Sequence, residues 1–193
     1  MRRLALLLAP LVLVAAGCGG GGATIDKQRL SSLVLTRQAV GNRYAPFYSG
    51  AQTQLDTQGT PRADASRFGR EGGWVIRFHR VGPPKAPGPL VVESRADLFD
   101  GSGGAGKDLG LYREMYSSSP GDEHKALSVS VGDESVGDTF VQPGQRVRFY
   151  RIAWRYENAT AAVTAEGFDG KVTQRDAVRL AQSQQRRIER AAR

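Results

Sequence analysis

The sequence contains one cysteine, Cys18, and two histidines, His79 and His124. A single cysteine cannot form a disulfide within the chain, so the fold must be stabilised by its hydrophobic core alone. Two histidines leave few candidates for a metal ligand or a catalytic base. The longest apolar run, Leu4 to Ala16, is shorter than the roughly 20 residues of a membrane-spanning helix. The sequence therefore argues against a disulfide scaffold and against a transmembrane protein.

The first residues have the composition of a secretory leader. Arg2 and Arg3 precede the apolar run, and small residues end it. The stretch Ala15-Ala16-Gly17-Cys18 resembles the lipobox of bacterial lipoproteins, in which a cysteine thiol accepts a diacylglyceryl group as a thioether. The resemblance implies that residues 1 to 17 are a signal peptide and that Cys18 carries the lipid, with fatty acids such as palmitate. The alternative is that Cys18 is an ordinary apolar residue of the leader.

The rest of the chain divides into a tether and one domain. Gly19 to Gly22 form a glycine run that behaves as a flexible coil, so residues 18 to 24 are the expected lipidated tether. Residues 25 to 193 are enough for a single domain with its own core. We expect this domain to be extracytoplasmic and anchored to the bacterial cell membrane through Cys18.

The positive charge of the chain bears on its partners. Removal of Arg2 and Arg3 with the leader lowers the formal net charge from +8 to +6. Basic proteins bind nucleic acid or anionic surfaces, and export excludes nucleic acid as an ordinary partner. The expected partners are the membrane itself, anionic lipid or acidic wall polymer, and an unidentified protein or small-molecule ligand.

Hydrophobic periodicity predicts an α+β fold. Ala105, Leu109, Tyr112 and Tyr116 share one helical face. Residues 41 to 73 are predicted to be irregular, with a short helical turn at 64 to 68, and residues 25 to 40 fit a helix or a strand. Apolar and polar residues alternate as in strands over residues 74–81, 90–99, 127–131, 136–142, 146–156 and 159–166. We expect an antiparallel sheet of about four to six strands with helices mainly on one face.

The C-terminal segment predicts the best-defined helix. Thr173 and Asp176 form a capping-box pattern, and the chain continues with helical periodicity to its end. The expected buried face comprises Ala177, Leu180, Ala181, Gln184, Ile188 and Ala191. A stripe of basic residues, which we call the arginine stripe, lies opposite: Arg175, Arg179, Arg186, Arg190 and Arg193. The stripe is either a solvated helix face or a surface that binds anionic lipid headgroups or acidic wall polymer.

The glycine-rich stretch 101–108, which ends in Lys107 and Asp108, matches two phosphate-binding patterns, GxGxxG and GxxxxGK. Asp108 stands where a Ser or Thr hydroxyl would bind magnesium, and the neighbouring strands are predicted to be antiparallel rather than βαβ. The sequence therefore predicts a glycine-rich loop without a nucleotide, and no cofactor.

Signals for catalysis or metal binding are weak. The stretch Gly132 to Gly137 lacks the spacing of a nucleophile elbow, and neither histidine has an evident Ser or Cys partner. Two acidic clusters, 122–124 and 133–134, lack the spacing of a metal site. The sequence predicts no catalytic residue and no metal.

The order of elements also carries a resemblance. The strand Trp74 to Val81, the Val92-x-Ser94 strand, Val131-Gly132-Asp133-Glu134, an Arg/Tyr-rich hairpin and a Gln/Arg-rich terminal helix follow one another over residues 30 to 190. This order resembles small bacterial lipoproteins related to extracellular sensor domains of membrane kinases. Those sensors commonly carry disulfides, which this chain cannot form.

The resemblance implies a non-enzymatic binding, sensing or accessory module of the cell envelope and transfers no ligand residues. The alternatives are an envelope hydrolase with an unrecognised site and a carrier of lipids or glycolipids, which needs a deep apolar pocket.

Overall fold

A computed structural model describes residues 24–53, 62–64, 66–83 and 85–193. The expected signal peptide, Cys18 and the glycine run lie outside these residues. Within them, seven antiparallel strands form one sheet in the order β1-β2-β3-β7-β6-β5-β4. The strands are β1 (Tyr44–Ala51), β2 (Arg70–Arg80), β3 (Val91–Phe99), β4 (Asp122–Ala126), β5 (Glu134–Gln142), β6 (Val147–Tyr156) and β7 (Ala159–Phe168).

The helices lie before, between and after the strands. The α-helices are α1 (Arg37–Val40), α2 (Ser102–Ser117) and α3 (Gln174–Ala191). Two short 3₁₀ helices cover Lys27–Ser32 and Arg67–Gly69. The predicted α+β class, with an antiparallel sheet and a long C-terminal helix, is confirmed. None of the helices within the described ranges combines the length and the apolar character needed to cross a bilayer.

Two meanders make up the sheet. Strands β1 to β3 form the first and β4 to β7 the second, each by pairing of consecutive strands. The meanders join where β3 pairs with β7, for example at Ser94 opposite Val163. The join places residues from both halves of the sequence at the centre of the sheet.

The main hydrophobic core lies on one face of the sheet, which we call the first face. The 3₁₀ helix Lys27–Ser32, α1 and α3 pack over it. Polar groups in this core are paired: Trp154 Nε1 donates to Gln185 Oε1 at 2.7 Å, and Ser94 Oγ donates to Gln184 Oε1 at 2.7 Å. The fully buried side chains include Phe78, Val92, Leu98, Ile152, Trp154, Val163, Leu180 and Ile188.

Helix α3 matches its prediction closely. Thr173 Oγ1 accepts from Asp176 N, and Thr173 N donates back to Asp176 Oδ2 at 3.0 Å, which completes the capping box. Five of the six residues expected on its buried face are buried, and Ala191 is half-buried. The capping residues and the apolar period therefore determine where the helix starts and which side packs.

The opposite, second face carries a smaller layer. Leu109, Tyr112 and Tyr116 of α2 pack against Ala153 of β6 and Ala162 of β7. Helices were expected mainly on one face of the sheet, but helices cover both faces. Helix α2 has an apolar side of its own, and this side packs on the second face because the small alanines leave room for it. One more strand is present than the expected range of four to six.

Three segments differ from the strand predictions. β1 lies within residues 41 to 73, which were predicted to be irregular, and β4 was not predicted at all. Residues 127–131 were predicted to be a strand and have no regular structure. The side chains of Leu127 and Val129 lie against Gly137 of β5. Only isolated hydrogen bonds from the backbone N–H groups of Leu127 and Val131 reach β5, however, so the segment forms no continuous ladder of strand hydrogen bonds.

Candidate functional site

Helix α2 covers only part of the second face, and the uncovered part is the candidate site. We call it the open surface. It consists of two rows of residues that lie side by side across the sheet, because directly paired residues of antiparallel strands share a face. The first row is Tyr48, Arg77, Glu93 and Thr164, and it continues to Arg151 and the buried Asp138, which lie at the border beneath the C-terminal end of α2; the second row is His79, Val91, Glu166, Phe149 and Phe140.

The first row alternates charges. Arg77 Nε donates to Glu93 Oε2 at 2.6 Å, and Arg151 Nε donates to Asp138 Oδ1 at 2.8 Å. Arg77 also lies over the Tyr48 ring, 5.9 Å from its centroid. Because each arginine is paired with a carboxylate, the net charge of the row is close to zero. The row therefore offers hydrogen-bonding groups rather than a strong electrostatic potential of one sign.

The second row is aromatic and acidic. The rings of Phe140 and Phe149 stack in parallel with centroids 4.8 Å apart, and Phe47 and His79 form a tilted pair at the other end. Glu166 lies between these groups, half-buried, and its carboxylate has no ion pair with any residue that the structure describes. Burial, and secondly the negative charge of Glu93, raises the pKa of Glu166. A half-buried carboxylate next to aromatic rings is a feature of binding surfaces.

A buried ion network adjoins the open surface beneath α2. Arg62 donates to Asp108 through Nε and Nη2, both at 2.9 Å, and to Asp97 Oδ2 at 3.2 Å. Arg70 Nε donates to Asp97 Oδ1 at 2.8 Å, and Thr160 Oγ1 donates to Asp108 Oδ2 at 2.6 Å. These bonds join the segment before β2 to the strands and to α2.

The electrostatics of this network are nearly balanced. The Arg62 guanidinium lies 3.7 Å from the centroid of the Tyr112 ring. Burial alone would lower the pKa of Arg62, but Tyr112, Asp108 and Asp97 together raise it well above its usual value. Arg62 is therefore permanently charged, and its bonds to Asp97 of β3 and Asp108 of α2 hold the helix on the sheet at one border of the open surface.

The residues that resemble a hydrolase site have the wrong order of contacts. Ser119 Oγ donates to Asp138 Oδ2 at 3.1 Å, and His124 Nε2 lies 3.4 Å from the same oxygen. A serine hydrolase needs the imidazole between the hydroxyl and the carboxylate, whereas here the carboxylate lies between the other two. Within the described residues no group of three acidic, histidine or cysteine side chains could hold a metal ion.

The glycine-rich motif is part of a helix rather than a loop. Gly101 is the N-cap of α2, and the other glycines lie in its first turns. A Cβ at position 104 would lie 2.2 Å from the backbone oxygen of Phe68 and 3.0 Å from Phe99 Cβ. Asp108 is buried against Arg62. Helix packing thus accounts for Gly104, and the ion network accounts for Asp108.

The arginine stripe lies where the helical wheel placed it. Arg175, Arg179, Arg186 and Arg190 are exposed on α3, and Arg193 is exposed just after its last residue. The structure brings none of them to the open surface, which lies on the opposite face of the sheet. Binding by the stripe remains a prediction.

Sequence reasoning missed Glu166, Phe149 and Arg62. The polar alternation Thr160, Thr164 and Glu166 in β7 could have placed Glu166 on the second face. No local signal indicates that α2 stops short of this end of the sheet.

These features define a class of domain by fold: a seven-stranded antiparallel sheet with helices on both faces. A solved structure with the same fold is the extracellular domain of PknH from Mycobacterium tuberculosis. The two superpose with a TM-score of 0.64 over 89% of this chain and 98% of that domain, at 14% sequence identity. No protein-family model and no curated protein matches the chain. At this identity the likeness establishes the shared fold.

Proposed function

We propose that the chain is an extracytoplasmic module that binds or senses a ligand or partner without catalysis and is tethered to the membrane by lipid on Cys18. The observation that carries the proposal is the fold shared with the extracellular domain of PknH. The leader and the Ala15-Ala16-Gly17-Cys18 stretch give independent support for export and anchoring.

The open surface is the proposed binding site. It combines paired charges with stacked aromatic rings, and Glu166 offers a carboxylate that forms no ion pair with the part of the chain that the structure describes. Such a surface fits a partner that presents both polar and apolar groups. The arrangement of Ser119, His124 and Asp138 gives no support to hydrolysis.

Native mass spectrometry of protein purified gently from its own membranes tests this function. A copurifying molecule or protein, lost when Glu166 is replaced by Gln and Phe149 by Ala, supports the open surface as the site. A copurifying lipid held inside the protein would instead favour the carrier alternative. Turnover of generic esterase or amidase substrates by the purified chain would overturn the non-enzymatic proposal.

The anchor has its own experiment. Cys18→Ala should leave a precursor that is uncleaved or mislocalised, while wild-type protein should carry acyl mass on Cys18. Two acyl chains are needed for stable tethering, because a single chain binds membranes only with about 10⁴ M⁻¹. A mature wild-type N-terminus at Ala23, or membrane retention without acyl mass on Cys18, would contradict the anchor.

We further propose that the arginine stripe orients the tethered domain on anionic lipid or acidic wall polymer. Each basic residue near such a surface contributes about 1 kcal/mol. Protein without lipid should sediment with anionic but not neutral vesicles, and high salt should release it. If Arg179, Arg186 and Arg190 are all changed to Gln and vesicle binding is unaltered, the stripe is only a solvated helix face.

A further inference from the structure

Three arginines surround a hollow where the C-terminal end of α3 meets the 3₁₀ helix Lys27–Ser32. Arg29, Arg187 and Arg190 line it together with Ser32 and Ala191, and its volume is about 320 Å³. Only Arg190 belongs to the arginine stripe. Arg187 lies on a different side of α3 from the stripe, and Arg29 belongs to the 3₁₀ helix.

Backbone carbonyls hold two of the guanidinium groups in place. Arg187 Nε donates to Val34 O at 2.7 Å, and Arg187 Nη2 donates to Ser32 O at 2.7 Å. Arg29 Nη1 donates to Ala191 O at 2.9 Å. A guanidinium has five N–H donors, so each group keeps donors for a ligand after making these bonds. The hollow is therefore preorganised for an anion.

No described carboxylate neutralises the three charges, and none of the three arginines forms an ion pair within 4 Å in the described chain. The acids closest in sequence to these arginines do not line the hollow: Glu189 accepts from Gln185 Nε2 at 3.1 Å, and Asp26 accepts from Gln28 N at 2.7 Å. Burial, and secondly the charge of Arg190, lowers the pKa of Arg187. An anion in the hollow would offset this repulsion.

The C-terminal end of α3 supplies a partial negative charge that favours cations. The Arg29 bond to Ala191 O uses this effect. It accounts for one arginine of the three, so capping alone does not explain why they converge.

The hollow lies close to the start of the described chain. Arg29 is five residues after Thr24, and Cys18 is six residues before Thr24. Six residues span at most about 21 Å at the extended reach of about 3.5 Å per residue. A lipid on Cys18 would therefore hold this end of the domain near the headgroups.

We propose that the hollow formed by Arg29, Arg187 and Arg190 binds the phosphate of an anionic phospholipid headgroup. The assignment rests on the proposed lipid anchor, because the anchor brings the hollow to the membrane. Arginine binds phosphate through charge-assisted hydrogen bonds, and three guanidinium groups match the several oxygens of one phosphate.

The test uses the full chain as isolated from membranes in non-ionic detergent. It is titrated calorimetrically with dihexanoyl-phosphatidylglycerol, dihexanoyl-phosphatidylcholine and inorganic phosphate. Arg190→Gln is the test variant, since this residue is exposed and makes none of the backbone bonds that hold Arg29 and Arg187. Arg37→Gln is the matched control, since Arg37 is exposed on α1, lies outside the arginine stripe and does not line the hollow.

We expect phosphatidylglycerol to bind more tightly than phosphatidylcholine. Arg190→Gln should weaken phosphatidylglycerol binding about tenfold, as expected for one charged hydrogen bond, and Arg37→Gln should change it less than about twofold. Equal weakening by both variants would mean that the overall positive charge of the protein is responsible, which overturns the site. Binding of inorganic phosphate but not of phosphatidylglycerol overturns the lipid assignment.

Two separate measurements distinguish failure of the proposed lipid anchor from failure of the proposed binding site. Mass spectrometry of Cys18 reports the anchor, whereas the titration reports the hollow. A protein that lacks acyl mass and still binds phosphatidylglycerol through Arg190 retains the site and loses only the tether.

Discussion

Ile25 and Asn158 form two hydrogen bonds although 133 residues separate them. Ile25 N donates to Asn158 Oδ1 at 2.8 Å, and Asn158 Nδ2 donates to Ile25 O at 3.3 Å. The same amide nitrogen donates to Phe99 O at 3.0 Å. Asn158 lies in the turn between β6 and β7 and is buried, so it fixes the first described residues of the chain to the edge of the hydrophobic core.

We predict that Asn158→Ala lowers the free energy of unfolding by about 2–4 kcal/mol, because it leaves buried backbone groups of Ile25 and Phe99 unpaired. Urea denaturation measures the change. Asn42→Ala, at an exposed turn residue, is the control and should stay within about 0.5 kcal/mol. Equal effects of the two substitutions would contradict the role of Asn158.

Gly104 provides a second prediction. Gly104→Ala should destabilise the protein although alanine favours helices, since its Cβ would lie 2.2 Å from Phe68 O. Gly110→Ala in the same helix meets no atom within 4 Å and should stabilise by about 0.5–1 kcal/mol. Thermal unfolding of both variants checks the difference in sign. A stabilising Gly104→Ala would mean that the helix does not pack this closely.

The buried ion network should respond far more strongly than an exposed ion pair. Arg62→Met leaves Asp97 and Asp108 without their shared partner in a buried site and should cost about 3–5 kcal/mol. Arg113→Met removes the pair of Arg113 with Glu134, which is 2.6 Å long with both side chains about half exposed, and should cost less than about 1 kcal/mol. Denaturant midpoints at constant slope provide the comparison. Similar losses from both variants would show that the network does not clamp the fold.

Glu166 predicts a pH effect. Its pKa in the folded protein is raised above the ordinary value of 4.5, so between these two values the folded state binds more protons than the unfolded chain. Stability contributed by this group is therefore present at low pH and lost as the pH rises through the window. Glu166→Gln should flatten this decline and be more stable than wild type above it. A flat wild-type profile over this window would refute the assignment.

Local patterns predicted the parts of the fold that depend on local sequence. The capping residues and amphipathic period of α3 gave its start and its buried face. The alternation Val92, Ala96 and Leu98 in β3 gave the side chains of the first face correctly. Both patterns lie within one element, so no distant contact is needed to interpret them.

Patterns failed where burial depends on distant segments. β1 contains Pro46 and has aromatic residues on its exposed side, with Phe47 and Tyr48 about half exposed, so it lacks the alternation of a half-buried strand. Residues 127–131 alternate well and still form no ladder. Arg95 and Asp97 lie on the side of β3 that the alternation over residues 90–99 predicts to be polar and exposed, but they are buried because α2 and Arg62 cover that side.

The candidate site was beyond the reach of local patterns for the same reason. Its two rows join residues from five or six strands, and their grouping follows from the pairing of β3 with β7. The arginine stripe was found because it lies within one helix.

The junction of β3 with β7 also bears on how the chain folds. Each meander pairs consecutive strands, so each half can form through contacts that are short in sequence, whereas the junction must close a segment of about 60 residues between Leu98 and Ala159. We expect the two halves to form before they dock. Substitutions at the junction, such as Val163→Ala, should then accelerate unfolding with little change in the folding rate, whereas Ile76→Val within the first meander should slow folding. The centre of the finished sheet would thus be the last part of it to assemble.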